Sequence, residues 1–386
     1  MKTKLYEMVL GITTMMSLLT SCASTKFVEK DIGASNTPSV KVGLFLDRGC
    51  RGNGTWQWAR LLAHCPQLDL TFLDAQDIRD GKLNGLQLLV FPGGASKAQF
   101  AALKPAGVEQ VKQFIENGGG YIGICAGSVN AMNRKGRIGL LPYDSIANAP
   151  GKLADLAVEF NEDSAKLLDI KPGRHIIRYN GGNVMKPTEP TDNMGDAKVL
   201  AVFKSSVSNY GRAPYNFMDA PAVILGRYGK GNVLASSVHP ESYESTHDIA
   251  LGYIKAVSGI KPVLRHPPKN IRPLRVGWLS LACIGPQAAR EMLSLDNEPA
   301  FDVDIFNLHE INEGRLRHYD VVVMPDGSEI SYKNLMNNEF QSKQILDFLE
   351  RGGRIVAAGN GAKYLPVHQN IQILPVGEPF AKAIGK

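Results

Sequence analysis

One cysteine, one histidine and one glutamate give this 386-residue chain its candidate chemistry. Cys125 lies in the stretch Gly118-Gly-Gly-Tyr-Ile-Gly-Ile-Cys125-Ala-Gly-Ser128, where an apolar strand, Tyr121 to Ile124, is expected to enter a small-residue turn and then a helix. Gly123 and Gly127 flank the cysteine two residues to either side. This is the G-x-C-x-G form of a nucleophile elbow, in which small neighbours permit a strained strand-to-helix turn. A thiol so placed faces the amino end of the following helix, whose partial positive charge favours thiolate. Read alone, Cys125 also fits a buried structural thiol in a Gly-rich turn. A cysteine nucleophile needs a base, and the base needs a group to orient it. Ser236-Ser-Val-His239-Pro240-Glu241 offers both: an apolar strand ends at His239, and the Glu241 carboxylate two residues on points to the same side, within reach of the far imidazole nitrogen. Read alone, this is also a surface His-Pro-Glu turn. Pro92-Gly93-Gly94 closes another apolar strand, and glycine lets backbone N–H groups approach a developing oxyanion. By itself it is only a turn.

The elements that must position these residues alternate. Val40 to Leu46, Leu68 to Leu73, Leu86 to Phe91 and Tyr121 to Ile124 read as buried strands, with helices expected from about Thr55 to Ala63 and from Gly107 to Asn117. Such alternation implies an α/β fold with a mostly parallel sheet covered on both faces. Ligands bind at the carboxyl ends of the strands in such sheets, where Cys125, Gly93 and the loop after Leu46 would all lie. From Ile138 to about Ile260 the expected strands are Ile138–Leu141, Ala154–Phe160, His175–Tyr179, Val199–Phe203, Ala222–Tyr228 and Asn232–Val238, closed by a helix from Thr246 to Val257.

A Pro-rich linker, 262–273, is followed by a second occurrence of the first pattern. Leu274–Leu279 matches Val40–Phe45, Val321–Gly327 matches Leu88–Gly94, Ile345–Gly353 matches Val111–Gly119, and Ile371–Pro375 matches Ile138–Pro142. The offset is 233 or 234 residues throughout, which marks an internal duplication. At that offset Cys125 falls on Gly359, so residues 274–386 read as a degenerate half-repeat without the nucleophile.

The Gly-rich turn, the cysteine elbow and His-Pro-Glu, in that order, resemble the class I glutamine amidotransferase-like superfamily. Within it, Gly118 to Gly127, the Asp47-Arg-Gly loop and Tyr179-Asn180-Gly181-Gly182 look most like the amino-terminal domain of biotin-protein ligases. The resemblance covers residues 39–261. It implies a flavodoxin-like three-layer sandwich, a Cys125, His239, Glu241 triad, oxyanion donors at Gly93, Gly94 and the amide of Ala126, and a substrate loop at Tyr179, Asn180, Gly181 and Gly182, a segment that also reads as a plain turn. The sequence contains no Gly-Arg-Gly-Arg biotin-adenylate loop and no ammonia-accepting synthetase domain. The resemblance therefore implies a cysteine hydrolase site on a small-molecule or peptide amide or ester, and neither biotin ligation nor glutamine-dependent biosynthesis. The alternative is a non-catalytic ligand-binding or scaffold protein that retains the fold.

The address is written at the amino terminus. Lys2 and Lys4 precede an apolar run from Met8 to Leu19, and Leu19-Thr20-Ser21-Cys22 resembles the bacterial lipobox. Residues 1–21 read as a lipoprotein signal peptide, Cys22 as the lipidation site, and 22–38 as a tether. The expected location is the bacterial cell envelope, lipid-anchored and facing the periplasm or exterior. Cys50 and Cys65 bracket a short predicted helix and could pair in that compartment, and Cys283 remains as the fifth cysteine. A net charge of +6 is spread along the chain without a dense basic run, so nucleic acid is not expected as a partner. His64, His175 and His309-Glu310 lack metal-ligand spacing. Neither metal nor cofactor is expected.

Overall fold

The computed structural model describes residues 39–148, 153–191, 193–207, 217–281 and 285–385; the expected signal peptide, Cys22, the tether and Cys283 lie outside the described residues. Short apolar runs bounded by turn residues become the central strands. β1 (Val40–Phe45), α1 (Asn53–Ala63), β2 (Leu68–Leu73), α2 (Ala75–Arg79), β3 (Leu88–Phe91), α3 (Ser96–Glu116), β4 (Gly120–Ile124) and α4 (Ala126–Ala131) follow one another. β3 and β4 are buried along their whole lengths, as strands covered on both faces must be. Then come β5 (Tyr143–Asn148), β6 (Leu153–Phe160), α5 (Glu162–Leu168), β7 (Gly173–Asn180), β8 (Asn183–Pro187), β9 (Met194–Phe203), β10 (Pro221–Tyr228), β11 (Gly231–Ser236) and α6 (His247–Ser258).

Nine of these strands make one sheet, in the order β2-β1-β3-β4-β11-β10-β9-β6-β7. From β2 to β11 every neighbouring pair is parallel, in the 2-1-3-4-5 order of flavodoxin-like folds. The expected α/β sandwich is therefore present. β10, β9, β6 and β7 extend it as antiparallel strands, which the apolar runs alone did not announce.

Several expectations need correction. Ile138–Leu141 is not a strand; the run is buried, and it is tied to the end of α4 by backbone hydrogen bonds to Asn130 and Ala131 and by a bridge between Met132 and Leu141. Its apolarity recorded burial and not strand pairing. The helix expected from Gly107 already begins at Ser96, with a break at Lys104 (φ 56°, ψ 171°). Pro105 is the cause, because its ring disfavours helical backbone in the preceding residue. Cys50 and Cys65 stand at opposite ends of α1, separated by roughly 16 Å of helix, beyond the ~7 Å a disulfide can bridge.

The second half contains β12 (Leu274–Leu279), α7 (Pro286–Asn297), β13 (Phe301–Phe306), α8 (Leu308–Asn312), β14 (Val321–Met324), α9 (Glu329–Asn337), α10 (Glu339–Glu350), β15 (Arg354–Ala358), α11 (Asn360–Lys363), β16 (Ile371–Leu374) and α12 (Phe380–Ile384). Its sheet, β13-β12-β14-β15-β16, is parallel throughout and repeats the 2-1-3-4-5 order. Three of the four matched segments occupy equivalent places. The fourth does not: β16 is a fifth strand and sits where β11 sits in the first sheet, whereas Ile138–Leu141 pairs with neither neighbour.

The two sheets belong to one compact unit, Pro38–Lys386. Helix α1 joins them. Trp56 on α1 meets Trp278 on β12 edge-on, with ring centroids 5.3 Å apart. Asp296, fully buried on α7, accepts Arg60 Nε at 3.0 Å and lies 3.2 Å from His64 Nε2, with Lys269 Nζ 3.7 Å away. Burial opposes the charge on Asp296, but His64, Arg60 and Lys269 outweigh it and hold the carboxyl below its usual value.

Candidate active site

Three neighbouring strands, β3, β4 and β11, end side by side. The register pairs Phe91 with Gly123 and Ile124 with Ser236, so Pro92–Gly94, Cys125 and Val238–Glu241 emerge together at the carboxyl edge of the sheet. Cys125 has φ 51° and ψ −102°, the left-handed region that costs a non-glycine residue about 1–2 kcal/mol. Its neighbours leave no room for larger residues: a Cβ on Gly123 would lie 2.5 Å from Gly127 O, and one on Gly127 would overlap Phe91 O. Cys125 N donates to Ser236 O at 2.8 Å, which ties the elbow to the adjacent strand.

His239 arrives from β11, and its backbone N donates to Arg178 O at 2.8 Å. Its Nδ1 lies 2.8 Å from Glu241 Oε1; a carboxylate only accepts, so Nδ1 carries the proton and Nε2 is left for the thiol side. Both side chains are buried. Burial disfavours the imidazolium, yet the Glu241 carboxylate and the Cys125 thiol together push the His239 pKa up to about 10. Nε2 has no partner within ordinary hydrogen-bond geometry, yet the Cys125 thiol is near enough to act on its proton. A Cβ placed on Gly93 would fall 2.9 Å from His239 Cε1 and 3.7 Å from Cys125 Cβ, so imidazole and thiol face each other across this glycine. A Cβ on Gly54, in the first turn of α1, would overlap Glu241 Oε1. Gly54 thus lets α1 close over the His239–Glu241 pair, a role that no spacing in the sequence revealed.

The loop Tyr179–Gly182 is at the site as well. Cys125 Sγ lies 3.5 Å from Asn180 O, and buried Tyr179 donates its hydroxyl to Gly182 O at 2.6 Å, which closes the loop. A Cβ on Gly182 would overlap Ser237 O, so the loop lies directly on the strand that delivers His239. Behind the elbow, Ser128 Oγ donates to Asn183 Oδ1 at 2.6 Å, and Gln99 Nε2 donates to Pro92 O at 3.0 Å while its Oε1 accepts Asn130 Nδ2, also at 3.0 Å. These buried amides fix the elbow helix α4 to both flanking loops. Their polar type in apolar surroundings was the signal available in the sequence. Every candidate site residue among those described (Cys125, His239, Glu241, Gly93, Gly94, Ala126 and Tyr179–Gly182) is brought to this one edge.

Above it opens a cleft of about 940 Å³ whose floor includes Cys125 and His239. The second half supplies part of the wall through Asp304, Ile305, Asn307, Glu310 and Arg315. Asn53 Nδ2 donates to Glu310 Oε2 at 3.0 Å and to Ile305 O at 3.3 Å, joining that wall to the start of α1.

The corresponding place in the second half is filled. Gly359 keeps the elbow backbone, φ 53° and ψ −127°, but a Cβ there would overlap the Asp326 carboxylate. Asp326 stands at the position of Gly93, and its Oδ1 accepts the amide of Asn360, the counterpart of Ala126, at 2.8 Å. An acidic side chain occupies the donor that the first half leaves open at the start of α4.

Part of the site lies in a stretch that is similar to known proteins. Residues 79–135 match the family described as "Biotin-protein ligase, N terminal", a span that contains the Pro92–Gly94 turn and the Cys125 elbow but ends before His239. The chain is 25% identical to a biotin–protein ligase of Schizosaccharomyces pombe over 194 residues, 46% of this chain and 29% of the ligase. It is also 25% identical to an uncharacterized protein of Chlamydia muridarum over 209 residues, 48% of this chain and 73% of that protein. It therefore spans less than a third of the ligase. Similar solved structures include PurLQS from Thermotoga maritima (TM-score 0.42, 16% identity, 56% of this chain and 98% of that one) and a putative thua-like protein from Bacteroides uniformis (TM-score 0.41, 15% identity, 58% and 93%). The chain is thus similar over part of its length to the biotin-protein ligase amino-terminal domain, and its first sheet has the flavodoxin-like strand order.

Proposed function

We propose that this chain is a cysteine hydrolase that acts on an amide or ester through Cys125, His239 and Glu241. The observation that carries the reading is the His239–Glu241 hydrogen bond with Nε2 left open toward a cysteine held in a strained elbow. His239 Nε2 takes the proton of Cys125 and retains it at neutral pH, so an imidazolium stands beside a thiolate, the form in which sulfur attacks. A carbon–sulfur bond forms at the carbonyl carbon, and the C=O π pair moves to oxygen, where the amides of Gly93, Gly94 and Ala126 receive the charge. Collapse breaks the bond to the leaving nitrogen or oxygen, which takes the proton from His239 Nε2. Water then attacks the thioester, His239 accepts the water's proton, and the carbon–sulfur bond breaks to release acid and return the thiolate. Glu241 keeps the ring in the required tautomer throughout.

The test is to incubate the protein with a panel of small amides, peptide amides and activated esters and record intact mass. A Cys125 acyl adduct that forms in wild type, accumulates in the slow-turnover substrates and is absent from Cys125→Ala supports the reading. Hydrolysis that survives Cys125→Ala, or no adduct with any member of the panel, sinks it. We further propose that Cys22 is lipidated and holds the protein at the cell envelope membrane, which the lipobox-like run Leu19–Cys22 supports; mass spectrometry of the mature amino terminus tests it. Among the described residues no helix is long and apolar enough to cross a membrane.

A further inference from the structure

We propose that the cleft over Cys125 selects substrates that carry an anionic group, a carboxylate or phosphate, beside the reacting carbonyl, and that Arg51 and Arg137 hold it. The proposal rests on the hydrolase reading for the word substrate, but the anion site itself does not. Besides His239, which is paired with Glu241, six arginine and lysine side chains line the cleft: Arg51, Lys97, Arg134, Arg137, Arg178 and Arg315. Three are neutralised by neighbours, Arg134 by Asp144 at 3.7 Å, Arg178 by Asp155 at 3.4 Å and Arg315 by Asp304 at 2.6 Å. Of the acids in the cleft wall, Asp304 is paired with Arg315 and Glu241 with His239, while Glu310 is held by neutral donors, Asn53 and the amide of Asn307, and offsets one of the remaining cations. Asp304 also accepts Tyr319 Oη at 2.7 Å.

Arg51, Lys97 and Arg137 have no acidic partner in contact. Arg137 Nη1 donates to Gly136 O at 2.6 Å, while its Nε is buried and makes no hydrogen bond. Burial first and the Arg134 guanidinium second lower the pKa of Arg137, with Asp144 only partly opposing them. An unbonded guanidinium N–H inside a cleft, next to a like charge, is a site short of an acceptor. The amino end of α1 adds to the same field. Gly52, Asn53 and Gly54 line the cleft, and Gly52 provides no side-chain cap, so the first amides of this 11-residue helix point there without a side-chain partner. Part of that field serves Glu241 at Gly54, and the rest is available to a ligand. A guanidinium meets a carboxylate or phosphate in a bidentate manner, and a neutral substrate would leave the remaining cationic surplus of the cleft uncompensated.

Iodoacetate and iodoacetamide have nearly the same size and differ by one charge, so their relative rates of Cys125 labelling in the full-length protein read the local field. The iodoacetate-to-iodoacetamide rate ratio should be about fivefold higher in wild type than in an Arg51→Gln, Arg137→Gln double variant, the size of one partly screened unit-charge interaction, and it should fall as salt is added. A ratio that the double substitution leaves unchanged overturns the proposal while leaving the nucleophile intact. If neither reagent labels Cys125, it is the hydrolase reading that fails. The anion site is then decided by calorimetry of succinate and of inorganic phosphate binding to Cys125→Ala. Binding of either one, lost on adding the two arginine substitutions, supports the site and names its anion; no binding of either overturns it.

Discussion

Of the residues in the site, His239 is the one whose charge the fold controls most strongly. Its folded pKa of about 10 lies above the ordinary 6.5, so the proton it gains on folding stabilises the native state fully below pH 6.5. That contribution is lost as pH rises toward and through 10. Thermal melts of wild type should therefore show a falling Tm across this window, and Glu241→Gln, which removes the anion that retains the proton, should flatten the fall. The same decline in both proteins would assign it to another group. The proposed catalytic residues could be picked out in the sequence because they stand beside residues of restricted conformation: Cys125 between Gly123 and Gly127, and His239 and Glu241 on either side of Pro240. Gly54 was not legible. Its importance lies in a near-collision with Glu241, 187 positions along the chain, and a glycine in a helix's first turn carries no mark of what passes over it.

At the scale of the element, the β4–α4 elbow occurs twice. Cys125 and Gly359 share the same positive φ, although only the first has a sulfur and only the first has an open amide beside it. The backbone conformation is therefore set by the strand-to-helix connection and not by the cysteine. Cys125→Gly should be more stable than Cys125→Ala by about 1 kcal/mol, because glycine alone avoids the left-handed penalty there. Urea melts of the two variants measure this, and equal midpoints would mean that the elbow is not strained. The sequence offset revealed the duplication correctly through β12, β14 and α10, where apolar period and a double glycine coincide. It failed at Ile371–Leu374, because a four-residue apolar run ending in proline matches a buried loop as well as a strand. Only pairing decides between them.

At the scale of the whole molecule, the second half is a wall of the cleft. It is held by α1, through Trp56 against Trp278 and through the buried Asp296 that receives Arg60 and His64. Asp296→Ala leaves the Arg60 and Lys269 charges without their partner at a largely apolar seam and should lower stability by about 3 kcal/mol, while Cys125 alkylation stays near the wild-type rate because the elbow is built entirely within the first half. A parallel fall of Tm and alkylation rate would show that the wall also supports the elbow. The carboxyl of Asp296 titrates below its ordinary 3.8, so the stabilisation it gives is present above that pH and is lost on acidification through the lower value. None of this interface was legible in the sequence. Arg60, His64 and Asp296 have no common spacing, and the arginines of the cleft come from the loop before α1, the segment after α4, strand β7 and the second half, which only the fold gathers.

The central claim is that His239 and Glu241 make a nucleophile of Cys125, and the rate of iodoacetamide labelling at Cys125 at neutral pH tests it most directly. Cys65 serves as an internal control, since burial pushes its thiol up to about 12. Wild type should label rapidly and selectively at Cys125, with the rate reduced at least about tenfold in His239→Ala and reduced to a smaller extent in Glu241→Gln. A Cys125 that reacts no faster than Cys65, or equally fast with and without His239, would contradict the account.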